Sequence, residues 1–297
     1  MDYALVRTFL DVAATGSFVR AAARLQVTQS AVSLRIRRLE ESLGRPLFTR
    51  SKAGAEMTAA GREFERYALS MIRVWEEARQ QVAIPEGFSE RLTIGAESSL
   101  WPRLGFRWID ALRAARPTLS IRAELGGPDR LTRFLIEGMA DAALTYTPQQ
   151  RPGLTVIKAM NDELVMVASW AGASREDGLL GERYVFVDWG PEFLQAHAVG
   201  LPELTNPGLT LSLGTLAAEF IMNRAFAGYL PARYVKRFID EGALHLVAGT
   251  PTFRFPIWAV FRQEIPDDLM RVAAHTLVSA GEALESEQAP LMAVCQM

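Results

Sequence analysis

Residues 17–44 read SFVRAAARLQVTQSAVSLRIRRLEESLG, and their spacing decides the front of the chain. Ser17 and Thr28 each stand just before a run of periodic apolar residues, where a hydroxyl can cap the first free N–H groups of a helix. Only Gln26-Val27 separates the two runs, so two short helices meet at a tight turn, the layout of a helix-turn-helix. In the first helix Phe18, Ala21, Ala22 and Leu25 share one face. In the second, Val32, Ile36, Leu39 and Leu43 step by four, three and four residues and form the expected buried stripe. Turning about 100° per residue puts Ser30, Ser33, Leu34 and Arg37 on the opposite face, with Gln29 in the first turn. A recognition helix reaches base edges from that first turn. Small serines let the backbone approach a groove, Gln29 can offer a paired donor and acceptor to adenine, and Leu34 can meet a thymine methyl. A three-helix core with an inert polar face is the alternative reading of the same pattern.

Upstream, Leu5, Phe9 and Val12 recur at helical spacing and Gly16 is placed to stop that helix. Downstream of Gly44, Leu47-Phe48 reads as a short strand, Lys52–Gly54 as a loop and Ala55–Met57 as a second strand. That is a wing, and Arg50 and Lys52 stand where a wing meets phosphates or the minor groove; solvated loop charges are the alternative. From Thr58 to about Ala83 the chain reads as one helix. Its residues Phe64, Ala68, Met71, Trp75, Ala78 and Val82 alternate steps of four and three, the repeat of a coiled-coil seam. Pro85-Glu86-Gly87 ends it. Charge is uneven: residues 20–52 hold eight basic side chains against Glu40 and Glu41, while the whole chain carries a formal net charge of −2. A local basic excess suits a polyanion, because neutralised phosphates release counterions.

Residues 17–61 contain AAxxLxVTQSAVSxxIxxLE, LGxxLFxR and T-x-A-G, and resemble the DNA-binding region of LysR-type transcriptional regulators. The resemblance implies a dimer or tetramer on double-stranded DNA, switched by a small-molecule effector, with RNA polymerase left open as a further partner. It also implies base contacts from Gln29, Ser30, Ser33 and the next position, with Thr28 and Arg37 beside them. Many members carry Arg after that serine, whereas this chain has Leu34, so bidentate guanine reading is not expected there.

From Arg91 the pattern changes. RLTIGAESS, LSIRAELG and ADAALTY read as strands between helices at Leu100–Arg116 and Leu131–Glu137, which implies parallel pairing in an α/β sheet. ELVMVAS, YVFVDWG, a Thr215–Phe226 helix and FPIWAVFR read as a second lobe. This half resembles the effector-binding domain of the same family, which is similar to periplasmic binding proteins. The expected fold is α+β overall. It comprises a winged helix-turn-helix over 1–58, a coiled-coil linker helix and hinge over 59–90, and a two-lobed α/β domain over 91–297. Lobe I would span about 91–160 and 266–297, and lobe II about 161–265. SSLWPRLGFRW and VDWGPEF, with SAVSLRIRRLE, are similar to the subgroup of the flagellar master-operon repressor.

Ligands of two-lobed α/β domains sit where strand ends meet helix starts. Glu97, Ser98 and Ser99 end the first strand, and Asp188-Trp189-Gly190 makes the matching turn in the second lobe. Gly127 and Thr145 end other strands, and Trp101 can add an aromatic wall. If both Glu97 and Asp188 face the ligand, an amino-bearing effector fits better than a bare anion.

An enzyme is disfavoured. The sequence holds no phosphate-binding loop, nucleophile elbow, dinucleotide fingerprint or metal-spaced His/Cys cluster, so no catalytic residue, metal or cofactor is expected. His197, His245 and His275 share no motif. No apolar run approaches about 18 residues, the opening MDYALVRTFL is unlike a signal peptide, and Cys295 stands alone, so a cytoplasmic protein away from membranes is expected. A repressor that binds DNA without an effector remains the alternative.

Overall fold

The computed structural model describes residues 2–51, 54–82, 84–176 and 178–295. Lys52, most of the expected wing loop and the last residue of the expected linker helix lie outside the described residues. The chain divides into two compact units, Met1–Glu86 with Arg133–Met139, and Gly87–Thr132 with Ala140–Met297.

In the first unit, helices α1 (Tyr3–Thr15), α2 (Phe18–Leu25) and α3 (Gln29–Leu43) precede strands β1 (Phe48–Ser51) and β2 (Gly54–Met57) and the long helix α4 (Ala59–Val82). The start signals act as the sequence implies: Asp2, Ser17 and Thr28 accept from Ala4 N, Arg20 N and Ala31 N. Gly16, Gln26 and Gly44 close the three helices in the left-handed conformation. Phe9 is the centre of this core, its ring 5.2 Å from that of Phe48 and 5.0 Å from that of Phe64. Around it pack Val6, Val12, Phe18, Ala21, Val32, Ile36 and Leu39. Leu43, expected in the stripe, is 40% exposed, because the α3 core contact ends one turn earlier at Leu39.

The Glu40 carboxylate accepts from the backbone N–H of Leu47 (2.7 Å) and Phe48 (3.2 Å), which fixes the antiparallel β1–β2 ribbon to the end of α3. The T-x-A-G motif has a mechanical reason. Thr58 donates its hydroxyl to Pro46 O and its N–H to Leu47 O, and its Oγ1 caps Gly61 N. A Cβ on Gly61 would lie 2.3 Å from Leu47 O, so only glycine lets α4 seat on this backbone.

The expected seam on α4 is divided between two environments. Phe64 and Ala68, together with Ile72, belong to the core of the unit. The stripe left facing solvent is Tyr67, Met71, Val74, Trp75, Ala78 and Val82, with Trp75 54% and Val82 88% exposed. The first turns of α4 are claimed by the small helical domain, which needs them to close its own core, and the outward stripe runs beside them.

The second unit contains two main sheets. The first has the order β4-β3-β5-β13-β6, from strands β3 (Glu90–Ala96), β4 (Leu119–Leu125), β5 (Ala142–Thr145), β6 (Leu154–Met160) and β13 (Ile257–Arg262). The second is centred on β7 (Glu163–Ala168), which pairs antiparallel with β10 (Ala227–Pro231), β11 (His245–Leu246) and β12 (Phe253–Arg254). A parallel pair, β8 (Phe186–Val187) with β9 (Thr210–Leu211), stands apart. Helices α5 (Phe106–Ala115), α6 (Pro128–Ile136, whose residues from Arg133 onward fall in the first unit), α7 (Gly178–Glu182), α8 (Pro191–Gly200), α9 (Ala217–Met222), α10 (Ala232–Asp240) and α11 (Asp267–Cys295) complete the order.

The parallel pairing expected of the first three strands holds, since β3 pairs in parallel with both β4 and β5. Other expectations need correction: the strands read as a like second lobe pair antiparallel about β7, and β13 runs antiparallel between β5 and β6. FPIWAVFR therefore belongs to the first sheet, and the chain returns to it at about Pro256 rather than at 266. A strand arriving from the other sheet enters from the opposite end, so it cannot be parallel to the crossover strands. The helix expected from Leu100 begins at Phe106, because Pro102 is extended and Arg103 left-handed (φ 71°). The helix expected over 215–226 ends at Met222.

Replacing Gly61 by alanine is expected to lower the unfolding midpoint of the full-length protein, with a loss of about 1–3 kcal/mol for overpacking against rigid backbone. Urea unfolding measures it, and an unchanged midpoint contradicts the close approach of α4.

Candidate functional site

Two surfaces carry chemistry, one in each unit. In the first, Thr28 Oγ1 lies 2.9 Å from Ser30 Oγ and accepts from Ala31 N at 3.2 Å, so the entry to α3 is rigid. Gln29, Ser30, Leu34 and Arg37 are exposed and Ser33 is half-buried; Arg38, not singled out from the sequence, is exposed beside Arg37. Leu34 is 47% exposed, with no core contact to justify an apolar residue there. Partly buried polar links tie the helices of this unit together. Asp11 of α1 pairs with Arg24 of α2 at 3.3 Å, and Arg35 of α3 donates to Thr8 of α1 at 3.3 Å. Arg50 is on β1 opposite Ala55.

In the second unit a cavity of about 540 Å³ opens where several strands end. Glu97, Ser98 and Ser99 follow β3, Tyr146 and Thr147 follow β5, Asp188, Trp189 and Gly190 follow β8, and Ser212 follows β9. Pro128, Pro191, Leu213, Gly214, Leu216 and Phe255 complete the lining. Of the residues expected here, Thr145 is behind the wall, buried, and donates to Glu97 Oε1 at 2.6 Å. Trp101 is not in the lining: it is packed in the core of the first sheet and stacked on Phe106. Gly127 is not in the lining either; its neighbour Pro128 is.

The two carboxylates and the rings of the wall are held in place. Glu97 Oε1 also accepts from Tyr146 N at 3.1 Å, and burial holds the Glu97 carboxyl above the usual carboxylate range despite these bonds. Asp188 Oδ1 accepts from Gly190 N at 2.9 Å, and Oδ2 lies 3.4 Å from the Ser212 hydroxyl. The rings of Tyr146 and Phe255 stack at 4.0 Å, and Trp189 meets both edge-on. Trp189 donates its indole N–H away from the cavity to Tyr229 O.

Behind the wall is the most constrained group of the unit. Arg233, at the start of α10, and Asp162, between β6 and β7, form an ion pair at 2.9 Å with both side chains fully buried. Arg233 also donates to Pro102 O (2.8 Å), Ser99 O (3.2 Å) and the Tyr146 hydroxyl (3.2 Å), and Tyr146 in turn meets Ser99 Oγ at 3.0 Å. Asp162 additionally accepts from the N–H groups of Glu163 and Arg233. Its carbonyl takes the N–H of Phe255, so the two strand crossovers between the sheets are tied to each other. Sequence reading passed over this pair, although a charge in the apolar run AGYLPARYV was a usable signal. A second depression of about 750 Å³ beside Lys158, Arg254 and Gln288 lies next to the same crossovers. His197 is a satisfied core residue, 2.7 Å from the Tyr184 hydroxyl, with burial lowering its pKa.

Comparison with known proteins turns these surfaces into an assignment. Residues 3–62 match the family described as "Bacterial regulatory helix-turn-helix protein, lysR family", and residues 85–280 match the LysR substrate binding domain. The chain belongs to the LysR family of transcriptional regulators. This LysR-type regulator is 33% identical to the HTH-type transcriptional regulator HdfR of Escherichia coli over 269 residues, 89% of this chain and 92% of that protein. Its fold is that of ArgP from Mycobacterium tuberculosis (TM-score 0.56, 22% identity, 95% and 97% of the two chains). It is similarly close to LysG from Corynebacterium glutamicum with bound effector arginine (0.54, 19%, 95% and 99%). As a LysR-type protein it is a DNA-binding transcriptional regulator with an effector-binding domain. Among the described residues, no helix is long and apolar enough to cross a membrane.

Two outcomes follow from this geometry. Asp162→Asn leaves a buried guanidinium uncompensated and is expected to cost about 3–5 kcal/mol in denaturant unfolding, whereas joint replacement by Asp162→Leu and Arg233→Met restores much of it. A double variant no better than the single one contradicts the pair's isolation. Glu97 titrates in the opposite sense to a salt-bridged acid: its folded pKa is raised, so its contribution is fully present below the ordinary glutamate value and is lost as pH rises through the raised one. Glu97→Gln is expected to raise the melting temperature of the ligand-free protein at neutral pH and to flatten its dependence across that window; a lower value at neutral pH counts against it.

Proposed function

We propose that α3 lies in the major groove and reads bases with Gln29, Ser30, Ser33 and Leu34, while Thr28, Arg37, Arg50 and Lys52 hold the backbone. The observation that carries this is the exposed face of α3: small and uncharged in its first turns, with an apolar Leu34, and flanked by Arg37 and Arg38. A face evolved only for solubility would carry long charged side chains from its first turn. The stripe Tyr67, Met71, Val74, Trp75, Ala78 and Val82 seats the same helix of a second copy, giving a homodimer or a tetramer built from dimers. The cavity bounded by Glu97, Tyr146, Asp188 and Trp189 takes a small effector, whose binding biases the unit between conformations and alters the DNA complex. The protein works in the cytoplasm and is a regulator rather than an enzyme.

The test begins with the chromosomal sites bound by the protein. On such a site Gln29→Ala is expected to weaken binding by about 1–3 kcal/mol while binding to random duplex is nearly unchanged. Arg37→Ala is expected to weaken both alike and to reduce the salt dependence by roughly one counterion. Equal losses on specific and random DNA for Gln29→Ala reject base reading by this face.

A further inference from the structure

We propose that the cleft receives a small organic cation, a primary ammonium on a short apolar chain; this rests on the cleft being the effector site and names the class of ligand it takes. The charge of the wall is one-sided. Glu97 and Asp188 line it, and no Lys, Arg or His does so among the described residues. Arg233, which bonds the Tyr146 hydroxyl, is already matched by Asp162.

Glu97 is the anchoring group. Its Oε1 takes two hydrogen bonds, both from neutral donors, the Thr145 hydroxyl and Tyr146 N, and among the described residues no ion pair compensates its charge. A desolvated carboxylate without a counterion is a cost that an ammonium relieves and a second anion aggravates. Asp188, across the opening and exposed, adds a longer-range attraction of the same sign. The rings take the rest of the molecule. Trp189 and Tyr146 direct their polar atoms to Tyr229 O and to Arg233 and Ser99, so they offer carbon and π-surface to a ligand. Cations bind such surfaces favourably. At the mouth Leu213 and Leu216 are 51% and 60% exposed, an apolar rim for a short chain.

The experiment uses the full-length protein with three probes of equal length, n-pentylammonium, 1-pentanol and valerate, followed by calorimetry and thermal shift. Pentylammonium is expected to bind roughly tenfold more tightly than pentanol, with valerate weakest, as one compensated buried charge implies. Glu97→Gln, which keeps the shape and the two accepted bonds, removes most of that preference; Asp188→Asn reduces it less. Ser98→Trp fills the opening without changing its charge and abolishes binding of any probe. No binding of pentylammonium, valerate binding at least as well, or an unchanged preference in Glu97→Gln overturns the cation assignment. In that event, binding of any probe that Ser98→Trp removes leaves the cleft as the site. Probe binding that survives Ser98→Trp overturns the cleft reading itself.

Discussion

The second unit depends on one ion pair that water does not reach. Arg233 and Asp162 are buried side by side where the chain crosses between two sheets, and their attraction has to offset the desolvation of both. It succeeds because almost every remaining donor and acceptor is used. The guanidinium reaches two carbonyls and a phenol, and the carboxylate takes two N–H groups. The same carbonyl-to-amide link that joins Asp162 to Phe255 ties the outgoing and returning strands together. Strand ends from two sheets are thereby held around one opening, and the opening is a consequence of the crossing.

That arrangement gives the cavity a chemical character as well as a position. Among the described residues no basic side chain lines it, and Arg233 behind it is consumed in structural work, so the wall is left acidic and aromatic. Ser99 and Tyr146 belong to both the network and the wall. A ligand that moves either of them presses on the buried pair, which has few other ways to satisfy its bonds. If the cavity takes the proposed effector, this is the physical form a two-state response would take: a small displacement at the wall would be opposed by a group with one good geometry.

The front of the chain was legible because its signals are local. Ser17, Thr28, Gly16 and Gly44 act within one helical turn of themselves, and each performs the role its position implies. What was misjudged depended on neighbours distant in sequence. Leu43 fits the stripe of its helix but lies past the end of its core contact and stays exposed. On α4 two apolar stripes overlap, and only the folded domain decides that Ile72 turns inward while Val74 and Trp75 stay out. In the second unit the strands were visible but their sheet membership was not, since β13 joins strands more than a hundred residues earlier. Glu97, Asp188 and Trp189 were found because strand ends before helices are recognisable. Trp101 was misplaced because a tryptophan's side of the backbone cannot be read from its neighbours. Arg233 was hidden because its partner lies 71 residues away.

The division of α4 has a consequence for the DNA that the regulator can accept. The helix is continuous from Ala59 to Val82, and its first turns are welded through Phe64, Ala68 and Ile72 to the domain that carries α3. No joint separates the seam from the reading head. In the proposed dimer, two copies zipped along the outward stripe would hold their reading heads at a distance set by the alignment of the zipper. A slip of one heptad would displace them by about 10 Å along the helix axis. If the proposed dimer forms along this stripe, the gap between the two halves of a target sequence would be written in the side chains of Tyr67, Met71, Val74 and Trp75, none of which would need to touch a base.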